Sequence, residues 1–466
     1  MIPLHGARVL VLGLGETGLS IARFCERRGA THIRVADTRA TPPGAAALAA
    51  ALPRAELRTG AFEHASFEGI DLIAISPGVP KDQPLIDAAR RRGVPLAGDI
   101  ELFAQALAGR PPRPKVIAVT GTNGKTTVTS LAGALARAAG FDTEVAGNIG
   151  PAALDALLER ERRGAMPAVW VLELSSFQLE TVESLEPDAA AMLNLTEDHL
   201  DRYAGMAGYA AAKARIFAGQ GLQVLNREDP ASLAMRRPGR PVSTFGLDTP
   251  PGPADCGLVR QDGEFFLARG ANRVCPVSAL RLAGNHNVAN ALAALALAGV
   301  LGAPDAALAR ALCGFTGLPH RVQRIAEHDQ ITWYDDSKGT NVGATVAALA
   351  GLGAPLIERG ARIVLIAGGD GKGQDFAPLA GPVQRYCRAL VQIGRDGPRI
   401  AAAAGVGGVP VLRAESMEEA VRAARAVARA GDLVLLSPAC ASFDMFRNYA
   451  HRAEVYAAAV GGLAHA

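Results

Sequence analysis

The chain has 466 residues, a length that exceeds one ordinary core and predicts about three domains at ~150 residues each. Its 48 Lys and Arg against 45 Asp and Glu leave a net charge of +3, and the basic residues are scattered rather than blocked, which argues against a dedicated nucleic-acid surface. The cysteines at 25, 256, 275, 313, 387 and 440 form no C-x-x-C pair and no metal-ligand spacing, so they read as reduced thiols of a cytoplasmic protein.

The opening stretch MIPLHGARVLVLGLGETG has no basic region followed by a long apolar core, and so predicts no secretory signal. The most apolar run, ALAALALAGVLGAPDAALARAL, is broken by Gly302, Pro304 and Asp305 and reads as packed helices rather than a membrane span. Short aliphatic strands alternate with helical stretches throughout, which predicts an α/β fold of mostly parallel sheets covered by helices.

The first such unit begins ARVLVLGLGETGLSIARFCERRG. Its strand ends at Gly13, and Gly15 and Gly18 form a tight turn before a helix. About 20 residues on, IRVADTR puts Asp37 at the end of a second strand. This is the layout of a dinucleotide fingerprint, in which glycines let the backbone approach a pyrophosphate at a helix N-terminus. The same glycines also serve plain helix–strand packing. DLIAISPGVP then adds a strand that ends in the turn Ser76-Pro77-Gly78, and AGRPPRPK (108–115) reads as a linker.

The second unit opens KVIAVTGTNGKTTVTSLAGALARAAG. The usual phosphate-gripping loop has four residues between its glycines, whereas only Thr122 and Asn123 separate Gly121 from Gly124. A shorter loop still turns backbone N–H groups toward a phosphate, because the helix beginning near Lys125 supplies unpaired donors. Lys125 brings a positive charge for the β- and γ-phosphates and Thr126 a hydroxyl for Mg²⁺. Glu173 ends the apolar strand of AVWVLELSS and is the natural carboxylate for that ion. Asp198, His199 and Asp201 cluster after the strand of AAAMLNLTEDHLDRY; His199 is a ligand candidate or a capped loop histidine. Lys213, in YAAAKARIF, reads by composition as a solvated helical lysine. A third unit follows with TWYDDSKGTN, RIVLIAGGDGKG, ALVQIGRDG and DLVLLSPACAS, each a strand running into polar or glycine residues.

The ordered set TGTNGKTT, GNIG, LELSSFQLE, NLTEDHLDRY, AAKARIF, GNHNVANALAA, GLPHR, DDSKGTN, GGDGKG and SPACASFD resembles the Mur ligases over nearly the whole chain. The resemblance implies a Rossmann-like N-terminal domain (1–98) for a uridine-nucleotide substrate, a central P-loop-type ATPase domain (99–317) and a Rossmann-like C-terminal domain (318–466) for an amino acid. It implies an ATP-dependent amide-bond ligase that adds D-glutamate to UDP-N-acetylmuramoyl-L-alanine through an acyl phosphate, in peptidoglycan precursor synthesis. Two Mg²⁺ ions are expected, and the enzyme is expected to be a cytoplasmic monomer.

Carried onto this chain, the resemblance assigns ATP to Gly121, Thr122, Asn123, Gly124, Lys125, Thr126, Thr127, Asn287, Asn290, Arg321 and Asp336. His320 would join Arg321 and Asp336 in closing over the nucleotide. The uridine substrate falls to Gly15, Thr17, Gly18, Asp37, Thr38, Arg39, Ser76, Pro77, Gly78, Asn148 and His199. D-Glutamate falls to Lys338, Thr340, Lys372, Ser442 and Tyr449, and the metals to Thr126, Glu173, His199 and Lys213. Lys213 would carry a carbamate, which exchanges a cation beside Mg²⁺ for oxygen ligands. Lys125, Glu173, His199, Lys213 and Arg321 form the expected catalytic set. Bland alternatives stay open: helix capping for Asn287, a hinge ion pair for Arg321, and surface positions for the lysines taken singly. Other classes also compete, namely a nicotinamide-dependent dehydrogenase built on the first glycine turn and Asp37, and a nucleotide-sugar sensor without catalysis.

Overall fold

The computed structural model describes residues 2–199, 202–405 and 407–463. Three sheets follow one another along the chain. The first contains β1 (Arg8–Leu12), β2 (His32–Asp37), β3 (Glu56–Thr59), β4 (Leu72–Ile75) and β5 (Leu96–Gly98), in the order β3-β2-β1-β4-β5. All four pairings are parallel. β1 and β4 are almost wholly apolar because helices cover both faces of the sheet. The strand order reverses at β1, so its C-terminal end and that of β4 form a crevice.

Gly18 is required there by packing. A Cβ on it would lie 1.8 Å from the Gly13 carbonyl oxygen, so helix Glu16–Arg27 sits on β1 only with hydrogen at that position.

Helix Asp99–Ala108 leaves the first sheet and buries Phe103 edge-on against Trp170 of the second, with ring centroids 4.9 Å apart. The second sheet holds β6 (Lys115–Thr120), β7 (Thr143–Gly147), β8 (Val169–Glu173), β9 (Ala189–Met192), β10 (Leu222–Asn226), β11 (Val242–Phe245), β12 (Cys256–Gln261), β13 (Glu264–Arg269) and β14 (Asn272–Pro276). Its order is β14-β13-β12-β11-β10-β9-β6-β8-β7. Pairings are parallel from β7 to β12, and β12-β13-β14 close the edge as antiparallel hairpins. The first hairpin turns through Asp262 and Gly263, both at positive φ, the Asp-Gly signature of a two-residue connection. Helix Lys125–Ala138 follows β6, and helix Asn285–Leu297 packs beside it.

The third sheet holds β15 (Gln323–His328), β16 (Ile331–Asp335), β17 (Ile363–Gly368), β18 (Cys387–Ile393), β19 (Val411–Arg413) and β20 (Leu433–Leu436), in the order β15-β16-β20-β17-β18-β19. Only β15 runs antiparallel, paired to β16. The fold is thus the expected three-domain α/β architecture with mostly parallel sheets. Among the described residues, no helix is long and apolar enough to cross a membrane.

Candidate active site

Strand ends from all three sheets meet at one cleft of about 770 Å³. Thr17, Ser76, Pro77 and Gly78 line it from the first domain, and Thr122 to Thr126, Asn148, Glu173, His199 and Lys213 from the second. Arg321, Lys338, Thr340, Lys372 and Tyr449 line it from the third. An adjoining cavity of about 230 Å³ shares Asn123, Gly124, Arg321 and Lys338 and adds Thr127, Asn287, Asn290 and Asp336.

The phosphate loop leaves β6 at the point where the second sheet reverses its order, since β8 lies on one side of β6 and β9 on the other. Gly124 takes φ +81° as the residue capping helix Lys125–Ala138, and a Cβ there would come 2.5 Å from Asn290 Oδ1. The helix therefore starts directly at the loop with its first N–H groups unpaired by side chains. Lys125 Nζ folds back onto the loop and donates to the carbonyls of Gly121 (2.9 Å) and Thr122 (2.8 Å). Burial holds its pKa below the usual lysine value, against the pull of Glu173 and Asp198.

Glu173 at the end of β8 is 2% exposed. Its Oε1 accepts from Asn148 Nδ2 at 2.6 Å, while its buried Oε2 has no partner. A buried carboxylate oxygen left unpaired is costly unless something positive binds it. Among the described residues, no group of three His, Cys, Asp or Glu side chains converges. This donor set suits a hard cation that takes most of its oxygen ligands from phosphate and water.

Lys213 is 1% exposed, which corrects its compositional reading as a solvated lysine. It lies on helix Met206–Ala214, which turns its lysine inward beside Tyr209. Nζ donates to the Gly121 carbonyl at 2.8 Å and sits 4.7 Å over the Tyr209 ring. No acidic side chain among the described residues pairs with it. Burial, and then the charge of Lys125, push its pKa well below the ordinary value.

His199 takes φ +57°. Its ring packs on Phe177 with centroids 4.7 Å apart, and its Nε2 is 3.7 Å from Asp198 Oδ2. Asp201 lies outside the described residues. Thr126 does not present a free hydroxyl: it accepts from Arg321 Nη2 at 2.5 Å.

Several expected residues fall elsewhere. Gly15, Gly18, Asp37, Thr38 and Arg39 sit at the C-terminal edge of the first sheet or just beyond it, outside the cleft lining. Both Asp37 oxygens are engaged within the chain, by the Leu14 N–H at 2.7 Å and by the Arg39 guanidinium at 2.6 and 2.8 Å. Arg39 holds the Asp37 pKa down to about 2. Ser442 is buried and also outside the lining. Asn287 is not the helix cap, which is Gly284; its amide instead donates to the Ala283 carbonyl at 2.8 Å. His320 lines the large cleft and not the smaller cavity. Burial draws the pKa of Lys338 down to about 8, and its ammonium stands 3.7 Å over the Tyr449 ring.

Other residues enter the site unannounced. Asn194, just past β9, accepts from Asn123 N–H at 2.9 Å and returns a bond to its carbonyl, pinning the loop. Asn341 Nδ2 reaches Asn123 Oδ1 at 3.0 Å from the third domain. Gln178 bonds Asp99 Oδ2 at 2.8 Å and completes a capping box with Ser175. The S-x-x-Q spelling of SSFQ was the available signal for that turn. For Asn194 the cue was a polar residue after a buried strand, and for Asn341 it was an N-cap residue ahead of helix Val342–Ile357.

A phosphate loop flanked by two further parallel-sheet domains, all opening on one cleft, defines a three-domain α/β enzyme that works on a phosphorylated substrate. The chain matches the Mur ligase MurD-like N-terminal domain over residues 7–98, the Mur ligase middle domain over 119–298 and the Mur ligase glutamate ligase domain over 320–440. It belongs to the Mur ligase family. It is 57% identical over 460 residues to the UDP-N-acetylmuramoylalanine–D-glutamate ligase of Nitrosospira multiformis, covering 98% of this chain and 96% of that one. It is 54% identical to the enzyme of the same name from Aromatoleum aromaticum, covering 98% of each. Among solved structures, the UDP-N-acetylmuramate–alanine ligase MurC of Thermotoga maritima shares the fold, with a TM-score of 0.61 at 20% identity over 98% of this chain and 100% of that one.

Proposed function

We propose that this chain is an ATP-dependent ligase joining the amino group of D-glutamate to the alanyl carboxylate of UDP-N-acetylmuramoyl-L-alanine. The products are the lengthened peptidoglycan precursor, ADP and phosphate. The observation that carries this reading is the identity of 57% and 54%, over 98% of the chain, to two ligases named for that reaction.

A carboxylate is a poor electrophile, so ATP first phosphorylates it and the amine then attacks the acyl phosphate. Catalysis of the first step is positioning and charge neutralisation. Gly121 to Thr127 cradle the triphosphate, and Lys125 leaves its loop carbonyls to meet the β- and γ-phosphates. Asn287, Asn290 and Asp336 hold the nucleoside end in the smaller cavity, and Arg321 faces the transferring group. Gly15, Thr17, Gly18, Asp37, Thr38, Arg39, Ser76, Pro77, Gly78 and Asn148 serve the uridine substrate. Lys338, Thr340, Lys372, Ser442 and Tyr449 serve D-glutamate. The division at 98/99 and 317/318 follows these tasks, and one chain supplies every part, as a monomer in the cytoplasm.

Two magnesium ions would be held by Glu173, His199 and Thr126, with Lys213 as a carbamate. Bound there, magnesium supplies neutralisation of the phosphate charge. The unpaired Glu173 Oε2 supports that site. Lys213 supports the carbamate because burial without a paired acid pushes its pKa well below the ordinary value and so favours the free amine, the form that adds to CO₂ with loss of one proton.

The test is a panel of amino acids assayed for ADP release with UDP-N-acetylmuramoyl-L-alanine. D-Glutamate is required and L-glutamate fails; steady release with L-glutamate alone overturns the assignment.

A further inference from the structure

An amino acid reaches the cleft as an ammonium ion, which has no lone pair with which to attack an acyl phosphate. A proton must therefore leave its nitrogen inside the site. Arg321 and Lys372 line that site with positive charge, and Lys125 is tied to its loop carbonyls. Lys338, which burial draws down to about 8, stands with its nitrogen on the face of the Tyr449 ring. The acidic groups that line the cleft, Glu16, Asp99, Glu173 and Asp198, all lie in the other two domains.

We infer that His320, oriented by Asp335, is the general base that takes the proton from the incoming amino group. The inference rests on the ligase reading above. His320 Nδ1 and Asp335 Oδ2 are 2.7 Å apart. Asp335 is 2% exposed at the end of β16, and its other oxygen accepts from the Ser337 N–H at 2.9 Å, so the carboxylate is fixed. That pairing places the ring proton on Nδ1 and leaves Nε2 as the lone-pair nitrogen. Nε2 has no partner among the described residues, and the side chain is 27% exposed on the cleft wall.

The backbone at His320 takes φ +63°, a conformation that side chains other than glycine seldom adopt and that tends to persist where function holds it. The ring stands edge-on to Tyr449 at 6.2 Å, and the same Tyr449 ring carries Lys338 Nζ on its face. His320 is thereby set among the groups proposed for D-glutamate. Asp335 is the charged group in contact with its ring, and the Lys338 backbone N–H donates to the His320 carbonyl at 3.1 Å. Gln323 Oε1 accepts from its backbone N–H and is neutral.

The step balances. His320 Nε2 takes one proton from the ammonium, leaving an amine and an imidazolium paired with Asp335. The amine forms the C–N bond at the acyl carbon as the bond from that carbon to the phosphate oxygen breaks. The second nitrogen proton leaves with the phosphate.

Full-length wild type, His320→Gln and Asp335→Asn are compared with D-glutamate and with hydroxylamine, a nucleophile already neutral at physiological pH. For His320→Gln, kcat with D-glutamate falls about 100-fold or more. KM for ATP and for the UDP-linked substrate stays within about threefold, and so does turnover with hydroxylamine. The acyl phosphate, trapped by borohydride as the alcohol, still forms. The acidic limb of the wild-type kcat–pH profile disappears. Asp335→Asn shows the same pattern with a smaller loss. His320→Gln that keeps its D-glutamate kcat, or that loses hydroxylamine turnover equally, overturns the inference; the second result also covers a misfolded variant or a merely structural histidine. If wild type itself yields no trapped acyl phosphate, the ligase reading falls and takes this inference with it.

Discussion

Arg321 of the third domain donates to the Thr126 hydroxyl of the phosphate loop at 2.5 Å, across 195 positions of sequence. Asn341 adds a second bond to the same loop, through Asn123. The loop and the third domain therefore register each other's position directly. A shift of that domain frees or covers the hydroxyl and the first turn of the helix behind it.

Arg321→Ala is expected to lower ATP-dependent phosphate release by about 100-fold, the scale of one lost preorganised charge contact at a transferring phosphoryl group. The melting temperature should move by only ~2 °C, because water replaces a guanidinium on a hydroxyl at modest cost. Arg321→Lys should recover little, since an ammonium lacks the planar fork. Steady-state kinetics and a thermal melt decide it, and a kcat unchanged in Arg321→Ala rejects the role.

Lys213 predicts opposite effects on stability and activity. A buried amine without a counter-ion costs the fold desolvation that an apolar side chain of similar length does not. Lys213→Met should therefore melt higher than wild type, by roughly 1–2 kcal/mol of added stability, while being inactive. Lys213→Ala should be nearly inactive and partly restored by short carboxylic acids that fill the gap. Full activity in either variant removes the carbamate proposal.

Two buried carboxyls should each withdraw stability as pH rises from about 4 to 7. Against them stands His286, which burial draws down to about 4 and which adds stability as pH rises over the same window. Burial raises Asp336 to about 7, opposed by the Ser437 hydroxyl and Arg321, and raises Asp99 to about 6, opposed by Gln178; the ordinary value is 3.8 for each. Between those values the folded chain holds protons that the unfolded chain has released, so each unit of rising pH favours unfolding until both groups ionise. Asp37, held near 2, contributes a constant benefit across this window. Urea unfolding at several pH values should show the slope, and Asp336→Asn should flatten its upper part. A slope of the opposite sign for that difference would refute the burial argument.

Gly18→Ala should destabilise the first domain by about 3 kcal/mol or more, because the added Cβ meets a backbone oxygen that cannot move aside. Loss of soluble protein, or a melt lowered by several degrees, is the expected result. Gly15→Ala is the control, since its Cβ would meet nothing within 4 Å.

Local pattern determined much of this protein. Buried aliphatic strands ending in glycine or polar residues marked β1, β6, β8, β17 and β20, because a parallel strand covered on both faces must be apolar along its length and can change character only at its end. The phosphate loop and Glu173 were singled out for that reason, each standing where such a strand runs out, whereas Arg321 came from the resemblance alone. Asp262-Gly263 and SSFQ also carry the turn chemistry of their positions, although neither was singled out by pattern.

Tertiary structure alone decided the rest, since burial and partnership depend on residues far apart in the chain. Composition makes Lys213 a surface lysine; only the packing of its helix against β6 strips it of water and leaves it without an acid. Asp37 stands at a strand end in the sequence, and only the fold shows its carboxylate held by Arg39 and the Leu14 N–H. The pairing of His320 with Asp335, and the place of that histidine on the wall of the larger cleft, appear only in the fold. An ionisable group acts through whatever shares its dielectric and its hydrogen bonds, and those neighbours are chosen when the three sheets come together.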